Sequence, residues 1–227
     1  MVLKIILDIL KSTMKILHLF FLLNITINAQ IFVENNLEDV IDSMNNFINS
    51  EKFKELKKNN SDLALVDTIY LRVKMLQKND IAETLLASTF ITLPFRKMPL
   101  HIPFTKMTFD IKLPSGNPVI LKKKIANLPK NIFPDSPKSK FGDKDKVAHF
   151  FGNAYFSYSV TFFNLSKFLS IFVELFEDTF EIQGSIDRRD LITNHLGFLF
   201  GKTLRKNPDA LPSDALKKYG LIKNNFK

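Results

Sequence analysis

Residues 147–166 carry no formal charge over their whole length. They read Val-Ala-His-Phe-Phe-Gly-Asn-Ala-Tyr-Phe-Ser-Tyr-Ser-Val-Thr-Phe-Phe-Asn-Leu-Ser. A run of this kind is either long enough to cross a bilayer, which takes about 20 residues, or a helix covered on nearly all sides by its own protein. His149, Asn153, Ser157 and Thr161 recur at every fourth position, which places them on one face of a helix. The pattern predicts a helix from about Lys146 to Asn164, apolar and aromatic except along one polar stripe. The rest of the fold has to supply that stripe with polar company.

Two further segments carry stripes of the same kind. A helix is expected from about Ser166 to Phe180, and Glu174, Glu177, Asp178 and Glu181 fall at spacings of 0, 3, 4 and 7, along one face. Like charges at i,i+4 cost an isolated helix about 0.2–0.5 kcal/mol per pair. Water on a solvated face is the ordinary way to offset that; ion pairs with Arg188 and Arg189, or a divalent cation among oxygen ligands, are the alternatives. Residues 184–189 read as a turn, and a third helix is expected from about Asp190. On it Asp190, Asn194, Gly197 and Gly201 share a face at spacings of 0, 4, 7 and 11. Glycine inside a helix costs about 1 kcal/mol relative to alanine, so two glycines on one stripe imply the close approach of another helix. Asp190 would sit at the mouth of that contact and needs a partner there. Arg188, Arg189, Lys146 and His149 are the candidates.

The economical packing turns the three stripes inward and makes one polar cluster in an apolar bundle. The candidate catalytic set is His149, Glu174 and Asp190, with His149 as general base and the two acids holding a cation or polarising water. Asp143, Lys146, Asn153, Glu177, Asp178, Glu181, Arg188, Arg189 and Asn194 complete the cluster, and Gly197 and Gly201 are helix-packing positions. The competing reading of His149 is a core histidine whose ring is satisfied by its neighbours.

The remainder of the chain reads as helices followed by a proline-broken middle. Leu37, Val40, Ile41, Met44, Phe47 and Ile48 have helical spacing, and a helix over 36–59 with Asn36 as N-cap is expected. A second runs from about Asp62 to Gln77. A third opens at Asp80-Ile81-Ala82-Glu83, a pattern like a capping box, and stops before Pro94. Eight of the 10 prolines lie between Pro94 and Pro137. Lys106–Leu113 alternates polar with apolar, Pro114-Ser115-Gly116-Asn117 is a turn, and Pro118–Leu121 is expected to return as the partner strand of a β-hairpin. Lys122, Lys123 and Lys124 follow, read chiefly as a solvated edge that blocks further strand pairing and alternatively as a contact for phosphate headgroups. Residues 125–142 read as an extended linker. The expected fold is therefore mainly α: N-terminal helices (30–93), a small β-hairpin insertion with a linker (94–142), a three-helix unit with inward polar stripes (143–205) and a basic tail (206–227).

The N-terminus reads as an export signal. Lys4, Lys11 and Lys15 precede the apolar run 16–23, and Asn28-Ala29-Gln30 offers a cleavage point after Ala29. Met14 is an alternative start. Removing residues 1–29 takes away three lysines and one aspartate, so the net charge falls from +9 to +7. The chain has no cysteine, which excludes disulfides, thiolate zinc sites, cysteine nucleophiles and thioether-linked lipid anchors. Neither a dinucleotide fingerprint nor a P-loop occurs, and no GxSxG elbow. Nucleic acid is disfavoured as a partner by the export signal and by the lack of a basic-aromatic motif; anionic lipid or an envelope protein fits the basic balance. No organic cofactor is implied.

Asp143-Lys144-Asp145-Lys146-Val147-Ala148-His149-Phe150 resembles the DKxxH opening of the VanZ-like and YfiM-like bacterial cell-envelope families. Glu174-Leu175-Phe176-Glu177 is similar to their glutamate-bearing second helix, and Asp190-x3-Asn194-x2-Gly197-x3-Gly201 to their closing pattern. Glu177 stands where the VanZ-like pattern usually has glutamine. The resemblance covers residues 143–205 and implies a small helical envelope module, membrane-embedded in VanZ-like proteins and periplasmic in YfiM-like ones. VanZ-like proteins are associated with glycopeptide resistance, which supplies no reaction. Three functions fit the residues. The first is a non-catalytic exported envelope protein, periplasmic or membrane-associated. The second is a hydrolase or transferase acting on an envelope lipid or polymer through the His149, Glu174 and Asp190 cluster. The third is a partner-binding platform formed by the N-terminal helices and anchored by the C-terminal ones.

Overall fold

The computed structural model describes residues 37–101, 108–114, 117–159 and 188–225. The expected export signal at 1–29, the cap at Asn36, and the whole acidic stripe of Glu174, Glu177, Asp178 and Glu181 lie outside these residues. The chain divides into residues 1–39 and 40–227, and of the first part only 37–39 are described, as the opening of the first helix.

The fold is mainly helical, and side-chain caps fix where its helices begin. The helix expected over 36–59 is two helices, α1 (residues 37–49) and α2 (Glu51–Asn59). Ser50 separates them because its hydroxyl accepts the Phe53 N–H at 3.2 Å and so caps α2. Ser61 caps α3 (Asp62–Leu76) in the same way. Lys78 and Asn79 have φ of 52° and 67°, which turns the chain tightly into α4 (Ile81–Thr92). The carboxylate of Asp80 accepts the Glu83 N–H at 3.0 Å, as the capping pattern anticipates.

The expected hairpin is not formed. Pro118–Asn127 is a helix, α5, with Pro118 in its first turn and the Asn117 side chain accepting the Val119 N–H at 2.9 Å. Asn followed by Pro is a helix-start signal as much as a turn signal, and here the helix wins. The strand Thr108–Lys112 (β2) pairs instead with the upstream strand Lys97–His101 (β1), antiparallel, with Leu100 opposite Phe109.

The segment expected to be a linker is packed. Leu128, Ile132 and Phe133 are buried. The Asp62 carboxylate at the start of α3 accepts the backbone N–H groups of Lys130 and Asn131 at 3.0 and 2.7 Å, which pins the segment's path. The chain then enters α6 (Lys144–Ser159) and, later, α7 (Arg188–Leu204), α8 (Pro212–Leu216) and α9 (Tyr219–Asn225). The basic tail is also fastened: the Asp67 carboxylate accepts the Ser213 N–H at 2.8 Å, and Lys74 donates to the Pro208 carbonyl at 2.8 Å.

The core lies where α3, α4, α6 and α7 meet, and it is aromatic. Phe150 stacks on Phe200 at 5.2 Å, Phe151 on Tyr70 at 6.0 Å, and Tyr70 meets Phe200 edge-on at 5.7 Å. Aromatic pairs of this geometry contribute about 0.5–1.5 kcal/mol beyond their buried area. The uncharged run is thus buried along the face that carries Val147, Phe150, Phe151, Ala154 and Ser157, while Tyr155, Phe156 and Tyr158 are half-buried and Ser159 is exposed; residues 160–166 lie outside the described set. Among the described residues no helix is long and apolar enough to cross a membrane.

Lys124 departs from the solvated-edge reading. Lys122 and Lys123 are exposed, but Lys124 is fully buried. Its Nζ donates to the Ile91 carbonyl at 2.8 Å and the Leu93 carbonyl at 3.4 Å, at the end of α4 where helix geometry leaves carbonyls unpaired. Burial pulls its pKa down to about 7. An unfolded lysine keeps its proton to about pH 10.4, so above pH 7 the unfolded chain binds more protons than the folded one. Stability therefore rises with pH over that window, by up to about 1.4 kcal/mol per pH unit. Urea unfolding of wild-type protein between pH 7 and 9 is expected to show this rise, and Lys124→Met to abolish it; a variant with the wild-type slope would remove Lys124 as its source.

Candidate functional site

Gly142 begins the site. Its φ of +59° is a left-handed turn that a side chain resists, and an added Cβ would collide with the Lys130 carbonyl. The turn delivers Asp143, whose N–H donates to that carbonyl at 2.8 Å, to a fully buried position just before α6. The Ser136 hydroxyl donates to the Asp143 carboxylate, and the Arg189 guanidinium pairs with it. Arg189 also lies 3.8 Å from the Asp135 carboxylate, which accepts from the Tyr219 hydroxyl at 3.0 Å and from Lys223 at 2.5 Å. Partial burial would raise the Asp135 carboxyl, but Lys223, Tyr219 and Arg189 outweigh it and hold the group below the usual range. These acids have an electrostatic task. Arg189 lies in the first turn of α7, where the helix dipole disfavours positive charge, and Asp135 and Asp143 compensate it.

One turn further along α6 lies the inner part of the site. Lys146 Nζ is 2.7 Å from Asp190 Oδ1 and 3.1 Å from Asp145 Oδ2, and the Lys146 side chain is only 7% exposed. Burial works against its ammonium, yet the Asp145 and Asp190 carboxylates prevail and hold its pKa above the ordinary lysine value. Asp145, His149 and Asp190 each bring a ligand-type atom within 4.8 Å of the others. Asp145 and His149 share a face of α6 one turn apart, and Asp190 comes from the first turn of α7.

Below this the stripes pair off directly. Asn153 Nδ2 donates to Asn194 Oδ1 at 2.9 Å and to the His149 carbonyl at 2.9 Å, and Ser157 Oγ donates to the Phe198 carbonyl at 2.9 Å. The pairs 146/190, 153/194 and 157/198 advance in the same direction, so α6 and α7 run parallel. The seam is tight because α7 has no side chain at two points. A Cβ at Gly197 would strike the Phe150 carbonyl, and one at Gly201 the Ala154 carbonyl and the Ser157 hydroxyl.

Of the residues expected to converge, Asp143, Lys146, His149, Asn153, Arg189, Asp190 and Asn194 do so across this seam. Lys146 is the partner that Asp190 required. Arg188 is exposed and donates to the Lys223 carbonyl at 2.8 Å, apart from the inner pairs. Glu174 and the other acids of its stripe lie outside the described residues, so the expected three-stripe convergence is seen for two stripes. Asp145 stands in the DKxxH pattern but was given no site role by sequence reasoning, which also passed over Asp135 and Ser136. The i,i+4 spacing of Asp145 and His149 was the available signal for the first; Asp135 and Ser136 sit in the segment read as a linker and offered none. No family model, curated protein or solved structure matches the chain.

The seam makes a paired prediction. Gly197→Ala forces a Cβ onto rigid backbone and is expected to cost about 1–3 kcal/mol. Gly152→Ala in α6 would meet only Thr89 at an ordinary 3.5 Å, so it should be neutral or gain up to about 1 kcal/mol from helix propensity. Urea unfolding of the two variants measures both; equal effects would mean that α6 and α7 are not in close contact at Gly197.

Proposed function

We propose that the chain is an exported bacterial cell-envelope protein of VanZ-like or YfiM-like type, non-catalytic and periplasmic or membrane-associated, whose C-terminal helical unit is its working part. One observation carries this reading. The residues of the resemblance stand some 40 positions apart, and Asp143, Lys146 and His149 meet Asp190, Asn194, Gly197 and Gly201 across one seam. A shared pattern that packs into one unit is a stronger likeness than scattered matches would be.

The surface next to this unit supports an anionic partner. There the partly exposed Lys57 and Lys130 lie close to each other and to the buried Lys144. Burial and then Lys57 and Lys130 lower Lys144, while burial chiefly, together with Lys130, lowers Lys57; Asp62 opposes both shifts. An anionic headgroup would relieve that repulsion. Co-sedimentation of the purified protein with vesicles tests this part of the reading. Binding is expected to phosphatidylglycerol-containing vesicles, not to phosphatidylcholine alone, and to weaken several-fold as salt rises from 50 to 300 mM. Fractionation of cells tests export, with the protein expected in the envelope and a cytoplasmic location contradicting it.

The meeting of His149 with Asp145 and Asp190 favours a second reading, a hydrolase or transferase on an envelope lipid or polymer. In that case His149 takes a proton from the attacking group, and a carboxylate orients its ring. Under this reading His149→Ala abolishes turnover while leaving the unfolding free energy nearly unchanged.

A further inference from the structure

We infer that Asp145, His149 and Asp190 form a binding site for a divalent transition-metal ion of the zinc class. The donor set is one imidazole nitrogen and two carboxylates, and their ligand-type atoms lie within 4.8 Å of one another. Donors about 2.0–2.2 Å from zinc stand roughly 3.4 Å apart in a tetrahedron, so small side-chain adjustments close the set. The scaffold suits this. Asp145 and His149 are one turn apart on α6, and Asp190 is brought against them by the glycine seam, so two helices present three ligands from rigid backbone. An imidazole in the set selects zinc-like ions over calcium and magnesium, which prefer all-oxygen sites.

Two further observations point to a cation. Asp190 is only 6% exposed, although it is a carboxylate. Asp145 has one oxygen on Lys146, while its Oδ1 is buried and receives no hydrogen bond. A buried carboxylate oxygen without a donor is the kind of atom a metal satisfies. Lys146 is the rival, because its ammonium lies on the same two carboxylates. Among the described residues both carboxylates share this one ammonium, so an arriving divalent ion must push it aside. That competition gives the site a signature that a chance surface cluster lacks: deleting the lysine charge should tighten metal binding. The inference stands apart from both functional readings, since a metal here can be structural or catalytic.

The test is calorimetric titration of the purified, chelator-stripped chain with Zn2+. The variants are Asp145→Asn, His149→Ala and Lys146→Met, each checked for folding by circular dichroism without metal. Asp145 is preferred to Asp190 for substitution because it is less deeply buried. Wild-type protein is expected to bind one zinc per chain. Asp145→Asn and His149→Ala should each weaken binding at least tenfold, and Lys146→Met should strengthen it about tenfold. Should Lys146→Met fold poorly alone, Lys146→Gln replaces it, and a zinc-induced rise in its unfolding temperature is the second readout. Failure of the wild-type chain to bind zinc stoichiometrically overturns the inference. Unchanged affinity in Asp145→Asn and His149→Ala overturns it as well, since the metal would then sit elsewhere.

Discussion

Two helices pressed together at positions without side chains set the terms for the rest of this structure. Where α7 presents Gly197 and Gly201, the backbone of α6 moves into the space. At that separation the polar residues beside the glycines are cut off from water. A buried polar group without a partner costs about 1–3 kcal/mol, so each has to find one across the seam. Asn153 with Asn194, Ser157 with the Phe198 carbonyl, and Lys146 with Asp190 are the outcome. The aromatic residues on the remaining faces of α6 and α7 then complete the core with α3 and α4.

The same constraint explains the charges at the mouth of the seam. Arg189 and Lys146 begin helices whose dipoles disfavour them, and both are largely buried. Asp135, Asp143, Asp145 and Asp190 surround them. Such pairs contribute less to net stability than their number implies, because desolvation cancels much of the attraction. They also bear on register, since sliding α7 by one turn along α6 would part Lys146 from Asp190 and Asn153 from Asn194 together. The centre is accordingly both an element of the fold and the place where chemistry or metal binding is best argued.

Much of the C-terminal unit was legible in the sequence. Four-residue spacing showed the stripes, and two glycines on one stripe announced the close contact that Gly197 and Gly201 make. The need of Asp190 for a partner gave four candidates, Arg188, Arg189, Lys146 and His149, of which Lys146 forms the ion pair. The proline-rich middle was less legible because its signals are ambiguous in kind. Asn117-Pro118 opens a helix as readily as it closes a turn, and only tertiary contacts decide. Lys124 shows the limit most clearly: three consecutive lysines look alike in sequence, and which one is buried depends on where the end of α4 lies. Asp135 and Ser136 escaped notice for a similar reason, since they reach the site from a segment without regular structure, held in place by Asp62 on a distant helix.

The central claim is that the two stripes are energetically one unit across the seam. A double-mutant cycle on Lys146 and Asp190 measures this directly, with Lys146→Met, Asp190→Asn and the double variant compared by urea unfolding. Either single substitution leaves a buried charge without its partner and is expected to cost about 3 kcal/mol or more. The double variant should be less destabilised than the sum of the singles by about 2 kcal/mol. Strictly additive costs would contradict the account, because they would mean that the two side chains do not meet in the folded protein.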